Sequence, residues 1–228
     1  MDDAPGGDLT IVIAAKDEGR TIGPIVAACA RLAAEVIVVD GHSTDDTVSA
    51  ARAAGARVVE DGGRGKGDAI RTAIPLVTRP ITVFLDADGS HDPGDVPLVV
   101  QPIRDGSADH VSASRLIGGS SELHGGFDEF FRLAGNAFIT ACINRRFHVR
   151  LSDSQNGFRA IRTEVLRTLG LSENLTTIEQ EMIMKTLRRG YRVSEVPSHE
   201  RRRAYGRSHV HVARVWPRYV YVLIRDLR

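Results

Sequence analysis

The sequence predicts an α/β fold with a mainly parallel central sheet flanked by helices. Three observations predict it. Short, nearly continuous apolar runs recur at residues 9–15, 35–40 and 81–86, the pattern of strands buried on both faces. Segments with helical periodicity alternate with them, as βαβ units require. Carboxylates stand at the ends of two runs, Asp40 and the Asp86-Ala87-Asp88 group, where open α/β sheets place their ligands.

The elements follow in order. Leu9-Thr10-Ile11-Val12-Ile13-Ala14-Ala15 reads as the first strand and residues 20–32 as a helix. Glu35-Val36-Ile37-Val38-Val39-Asp40 is the second strand. Ser43 or Thr44 caps a helix that runs to about Ala54, with Asp45 and Asp46 in its first turn where the helix dipole favours acids. Residues 56–60 form a short third strand, 66–77 a helix, and 81–86, bounded by Pro80, the fourth strand. A helix is expected over 95–103 and a strand over 110–114. Gly118-Gly119-Ser120-Ser121 and Gly125-Gly126 then make a flexible loop, expected to order over a bound donor. Helices over 127–144 and 177–188, a strand over 191–196 and a helix over 210–227 complete the chain. The reading is one domain over residues 1–228, with a nucleotide-binding half at about 9–114 and an acceptor-facing half at about 115–228.

Bulk composition narrows the function classes. The chain has 228 residues, 42% of them apolar and 26% charged, which suits a water-soluble globular protein. A net charge of +1 argues against general nucleic-acid binding. The charge is uneven: the segment from Arg201 to Arg228 holds eight arginines against Asp226 alone. Cys29 and Cys142 lie far apart in apolar helical contexts and read as buried free thiols, in keeping with a reducing cytosol. The first seven residues are acidic and turn-rich, unlike a signal peptide. No apolar run reaches the roughly 18 residues of a membrane span. A cytoplasmic protein is expected, peripheral at the inner face of the membrane if it meets one.

Asp86 and Asp88 carry the sharpest chemistry. Two carboxylates one residue apart at a strand end suit a hard divalent cation, Mg²⁺ or Mn²⁺, held against a diphosphate; solvated loop acids are the plain alternative. The loop after the first strand lacks Gly-x-Gly-x-x-Gly, which argues against a dinucleotide fold. Gly63-Arg64-Gly65-Lys66-Gly67-Asp68 lacks the spacing of a P-loop and follows the third strand rather than the first.

Taken together the ordered motifs resemble the family 2 glycosyltransferases of the GT-A fold, a Rossmann-like nucleotide-binding fold, and within them the dolichyl- or polyprenyl-phosphate mannose synthases. The resemblance runs from about Thr10 to Val212. Ala15-Lys16-Asp17-Glu18-Gly19 lies where the family has a Pro-x-Tyr-Asn-Glu-type loop around the donor base and ribose; the Pro and Tyr are absent and Asp17 replaces Asn. Val38-Val39-Asp40-Gly41-His42-Ser43-Thr44-Asp45 resembles the family's Val-Val-Asp-Asp-Gly-Ser-x-Asp, in which Asp40 would accept from the base; for Asp45 and Asp46 helix capping is the plain reading. Gly65-Lys66-Gly67 resembles its Gly-Lys-Gly loop, and Asp86-Ala87-Asp88 its metal-binding acid pair. Ser114-Arg115, Arg132 and Asn136, the segment Asp153-Ser154-Gln155-Asn156-Gly157-Phe158-Arg159, and Gln180-Glu181-Met182-Ile183 match the second half of these synthases. Arg203-Ala204-Tyr205-Gly206-Arg207-Ser208-His209 resembles their Arg-x-x-Gly-x-Ser-Lys, with His209 in place of the Lys.

The resemblance implies an inverting, metal-dependent transfer from a nucleotide sugar, GDP-mannose or a UDP-sugar. Ala15, Asp17, Glu18, Asp40, Lys66, Asp86, Ala87, Asp88 and Arg203 would bind the donor, with Mg²⁺ or Mn²⁺ on Asp88 and Asp86 and a late histidine, His209 or His211, as a further candidate ligand. His91 is either a third ligand or a loop residue. Arg115, Arg132, Asn136 and Arg159 would face the acceptor, because arginine forks match phosphate oxygens. An ionised lipid phosphate needs no base; a hydroxyl acceptor does, and Asp153 and Glu181 are the candidates, with an arginine pair as the structural alternative for Glu181. Acceptors of two kinds compete: a polyprenyl phosphate, favoured by the synthase motifs and the basic C-terminal segment, and the hydroxyl of a soluble small molecule. A non-catalytic nucleotide-sugar-binding protein is the reading from another class. A nucleotidyltransferase is disfavoured because residues 14–19 hold no glycine-rich loop.

Overall fold

The structure is a computed structural model that describes residues 6–121, 127–203 and 212–227, with side chains described outside 127–132 and 212–214. Seven strands form one sheet: β1 (Leu9–Ala15), β2 (Glu35–Asp40), β3 (Arg57–Glu60), β4 (Ile81–Asp86), β5 (His110–Ser114), β6 (Arg159–Arg162) and β7 (Val193–Pro197). Their order is β3-β2-β1-β4-β6-β5-β7. All neighbours pair in parallel except β6, which runs antiparallel to β4 and β5. The helices are α1 (Ile22–Cys29), α2 (Thr47–Ala53), α3 (Lys66–Ala73), α4 (Val96–Arg104), the single turn α5 (Arg115–Gly118), α6 (Phe127–Phe147), α7 (Thr163–Thr168), α8 (Ile178–Arg188) and α9 (Val212–Leu227).

The apolar runs of the sequence are explained by the two cores that sandwich the sheet. Ile11, Ile13, Val36, Val38, Val83 and Leu85 point to one side, against Ile22 and Val26 of α1, Ala51 of α2 and Val99 and Val100 of α4. Val12, Ile37, Val39 and Phe84, the alternate residues, point to the other, against Ile70 of α3, Val165 and Leu166 of α7 and Met182 of α8. Alternation still operates, but both faces are apolar because both are covered. A third cluster joins Ile139 and Ile143 of α6, Ile183 and Met184 of α8, and Val222 and Leu223 of α9.

Three expectations are corrected. Helices α1, α2 and α3 are shorter than the periodicity suggested, α1 ending at Cys29 and α3 at Ala73, whereas α6 runs on to Phe147. The antiparallel strand β6 and the turn α5 were not expected. β6 has four residues and begins with an arginine, so it carries no apolar run; Arg159 is nonetheless buried because its guanidinium donates to the backbone carbonyls of Glu179, at 2.8 Å, and Asn156. Among the described residues no helix is long and apolar enough to cross a membrane. The loop expected to order over the donor lies in part, at 122–126, outside the described residues.

Candidate active site

A cavity of about 600 Å³ opens at the carboxyl ends of β1, β2 and β4. Its walls include Ala15, Lys16 and Glu18 after β1, Gly41 after β2, Gly65 and Lys66 at the start of α3, and Asp86, Ala87 and Asp88 after β4. Thr176, Arg203 and Val215 of α9 close the far side. This is where a parallel sheet leaves a crevice for a ligand.

Lys66 lines it and gathers two acids. Its ammonium lies 2.5 Å from Asp86 Oδ1 and 2.8 Å from Glu179 Oε1. Burial opposes the lysine charge, but these two carboxylates outweigh it and raise its pKa. Burial likewise works against the Asp86 carboxylate, yet Lys66, followed by His91, holds it down to about 2. Two glycines make room for the cluster. A Cβ on Gly67 would lie 2.4 Å from the Glu173 carbonyl oxygen; one on Gly157 would lie 2.5 Å from Lys66 Nζ and 2.6 Å from Asp86 Oδ2.

Arg203 bridges Glu18 and Asp88, with Nη1 3.0 Å from Glu18 Oε1 and Nη2 3.1 Å from Asp88 Oδ2. Burial raises the Glu18 pKa, offset in part by Arg203 and reinforced by Asp88. The backbone N–H and hydroxyl of Ser90 both donate to the other Asp88 oxygen, at 3.0 and 2.6 Å. Thr21 Oγ1 donates to the Ala87 carbonyl at 2.7 Å and so fixes the turn between the acids.

Asp17 and Asp40 are not among the cavity's lining residues. Asp17, at a positive φ of 54°, accepts from the backbone N–H of Thr44 at 2.8 Å and ties the loop after β1 to the loop after β2. Asp40 accepts from Ser43 N–H through Oδ2 at 3.0 Å, while its Oδ1 is buried with no hydrogen-bond partner. Such an orphaned acceptor is costly unless a donor reaches it.

Behind the cavity lies a second polar network. Arg115 grips Asp153 with Nε at 2.6 Å and Nη2 at 3.1 Å, and Asn136 Nδ2 donates to the same carboxylate at 2.9 Å. Burial disfavours the Asp153 charge, but the arginine outweighs it and lowers the pKa. The Glu195 carboxylate accepts from the backbone N–H groups of Ser152 and Asp153 at 2.6 and 2.7 Å. The structure thus brings Arg115, Asn136 and Asp153 together but spends them on one another. Arg159 is enclosed and has no exposed face. Arg132 lies in α6 with its side chain outside the described residues, as do the whole of His209 and His211.

Glu181 takes the structural alternative. It is fully buried, and its carboxylate accepts from Ser172 and Glu173 N–H, Lys185 and Arg225. Two residues earlier, Glu179 reaches Lys66, and sequence reasoning missed it. Residues two apart on a helix do not share a face, so only one of the pair can meet the cavity's lysine. The available signal was the helix phase relative to Lys66, which no sequence motif marks.

Among the described residues no group of three or more His, Cys, Asp or Glu side chains is arranged to hold a metal. Asp88 and Asp86 nevertheless suit Mg²⁺ or Mn²⁺, ions that take one or two carboxylates and complete their shell with water and substrate phosphate. His91 is buried beside Asp86, 3.8 Å from Oδ2, with neither ring nitrogen hydrogen-bonded.

Comparison with known proteins agrees with this geometry. The profile of glycosyl transferase family 2 matches residues 10–170. A dolichyl-phosphate hexose transferase of Haloferax volcanii is 32% identical over 200 residues, covering 86% of this chain and 84% of its own. A glucosyl-3-phosphoglycerate synthase of Mycolicibacterium paratuberculosis is 36% identical over 123 residues, 48% of this chain and 37% of its own. Among solved structures, glucosyl-3-phosphoglycerate synthase of Mycobacterium tuberculosis with Mn²⁺, UDP and glucosyl-3-phosphoglycerate superposes with a TM-score of 0.79 at 22% identity, over 97% of this chain and 80% of that one. The same synthase with Mg²⁺ and UDP gives 0.80. At that identity the likeness establishes the shared GT-A fold. Together with the family match over most of its length, it makes the chain a glycosyltransferase that belongs to glycosyl transferase family 2.

Proposed function

We propose that the protein is an inverting, metal-dependent transferase that moves a hexosyl group from GDP-mannose or a UDP-sugar to a polyprenyl phosphate. The observation that carries the donor half is the cavity at the ends of β1, β2 and β4, where Asp88, Arg203 and Lys66 converge. The acceptor half is supported by the relative of nearly equal length that is named for transfer to dolichyl phosphate. The basic segment 201–228 supports a peripheral contact with an anionic membrane.

In this reading an acceptor phosphate oxygen attacks the anomeric carbon as the bond to the nucleoside diphosphate breaks, with inversion. Asp88, with Asp86 beside it, would hold a divalent metal, which supplies charge stabilisation to the leaving diphosphate. Arg203 would exchange its carboxylate partners for diphosphate oxygens, which its fork fits. Lys66 keeps Asp86 ionised and adds positive charge to the leaving-group side. An ionised phosphate acceptor needs no base, which agrees with Asp153 and Glu181 both being committed to internal contacts.

A second reading, transfer to a hydroxyl of a soluble metabolite, is favoured by the 36% identity to a glucosyl-3-phosphoglycerate synthase. The test is a radiolabelled transfer assay pairing GDP-mannose and UDP-glucose with a polyprenyl phosphate or with 3-phosphoglycerate, in Mn²⁺ and in EDTA. Label in the organic phase with Mn²⁺ alone is the expected result. Label on phosphoglycerate instead would establish the second reading, and no turnover of any donor would leave a nucleotide-sugar-binding protein.

A further inference from the structure

Helices α6 and α9 lie side by side with their C-terminal ends together. Gly135 of α6 faces the Trp216 ring, where a Cβ would come within 2.5 Å. At the other end Arg146 Nε donates to the Leu227 carbonyl at 2.8 Å. Beneath the pair is the cluster of Ile139, Ile143, Val222 and Leu223. The opposite, outer face is apolar as well. Phe138 is 57% exposed, Tyr221 52% and Ile224 55%.

The exposed charge around this apolar strip is mainly positive. Residues 134–150 contain Arg145, Arg146 and Arg150 and no acid. The end of α8, which shares the underlying cluster through Leu187, adds Arg188 and Arg189. Arg218 and Arg225 flank Tyr221, with guanidinium carbons 4.9 and 5.8 Å from the ring centre, and both pair with buried Glu173, so the net positive charge comes from the ends of α6 and α8. The acid of α9, Asp226, is buried against Arg225. Arginines at helix C-termini complement the helix dipole, but the dipole does not call for exposed Phe138 and Ile224 beside them.

We propose that this outer α6–α9 face docks on an anionic phospholipid surface, with Phe138, Tyr221 and Ile224 at the headgroup boundary and the surrounding arginines on lipid phosphates. A second copy of the chain fits less well, because a two-fold contact would set the cationic face against itself. The inference rests on the lipid-phosphate reading of the function and deepens it. The Tyr219 hydroxyl of α9 is hydrogen-bonded to Thr176 Oγ1 at 2.8 Å, and Thr176 and Val215 both line the donor cavity. α9 thus contributes to the cavity wall on one side and to the docking face on the other.

The test is vesicle sedimentation of the full chain without any polyprenyl phosphate, using phosphatidylcholine vesicles with and without phosphatidylglycerol. Binding only to the anionic vesicles is expected, weakened by salt. The Phe138→Ser/Ile224→Ser and Arg145→Glu/Arg188→Glu double variants should each lose about tenfold or more in vesicle affinity, with unchanged nucleotide binding as the control for folding. Absence of binding to anionic vesicles, or equal binding by folded variants, overturns the docking face. So does a wild-type dimer in solution that Phe138→Ser/Ile224→Ser dissolves. Vesicle binding without transfer to lipid phosphate upholds the face and overturns only the acceptor reading.

Discussion

The Lys66 ammonium sits 2.5 Å from the Asp86 carboxylate and joins the first residue of α3 to the last residue of β4. Glu179 on its other side brings in α8. Without the lysine, two largely buried carboxylates would face each other. Asp86, held down to about 2 in the folded protein, now stabilises the fold fully above its ordinary pKa near 4, and that contribution is lost as pH falls toward 2. In Lys66→Met, burial and Glu179 would raise the Asp86 pKa instead, so the folded state would bind a proton more tightly than the unfolded one. The variant should therefore melt at a higher temperature at pH 5 than at pH 7. Parallel melting curves for the wild type and the variant across this range would contradict the account.

Gly157→Ala tests the close packing of the same site. Its Cβ would fall within 2.6 Å of both Lys66 Nζ and Asp86 Oδ2, so one or both side chains must shift. Nucleotide affinity should drop about tenfold or more, the cost of a misplaced binding group, while the far-ultraviolet circular dichroism is retained. Unchanged affinity would mean that Lys66 does not act on the donor.

Glu181→Gln separates structure from catalysis. The carboxylate is tied to Ser172, Glu173, Lys185 and Arg225, so the substitution should cost about 1–3 kcal/mol of stability and leave kcat within a few-fold. A kcat lowered a hundredfold with an unchanged Tm would restore Glu181 as a base.

Cys29, the last residue of α1, is enclosed in the core against the sheet, and burial pushes its thiol up to about 12. It should stay unreactive to a thiol reagent at pH 8 until the protein unfolds, because the thiolate is the reacting form. Rapid labelling in the native state would show that α1 opens locally.

The legible parts of this sequence are those where one local signal decides. β1, β2 and β4 match their expected residues because burial on both faces leaves a nearly continuous apolar run, and β5 matches too, although only Val111 and Ala113 of it are apolar. The acid pair after β4 was legible because the strand end places it. What failed to show depends on tertiary partners. β6 hides because Arg159 is buried on backbone carbonyls rather than by being apolar. The choice between Glu179 and Glu181 turns on which side of α8 faces Lys66. Asp17, expected at the donor, spends its carboxylate on Thr44, a contact between loops 27 residues apart.

The central claim is that the cavity holds a nucleoside diphosphate with a divalent metal on Asp88. Isothermal titration of UDP and GDP into the wild type and Asp88→Asn, with Mn²⁺ and with EDTA, tests it most directly. Binding of one nucleotide by the wild type that is lost in EDTA and lost in Asp88→Asn is the predicted result. Equal binding with and without metal, or undiminished binding by Asp88→Asn, would contradict it.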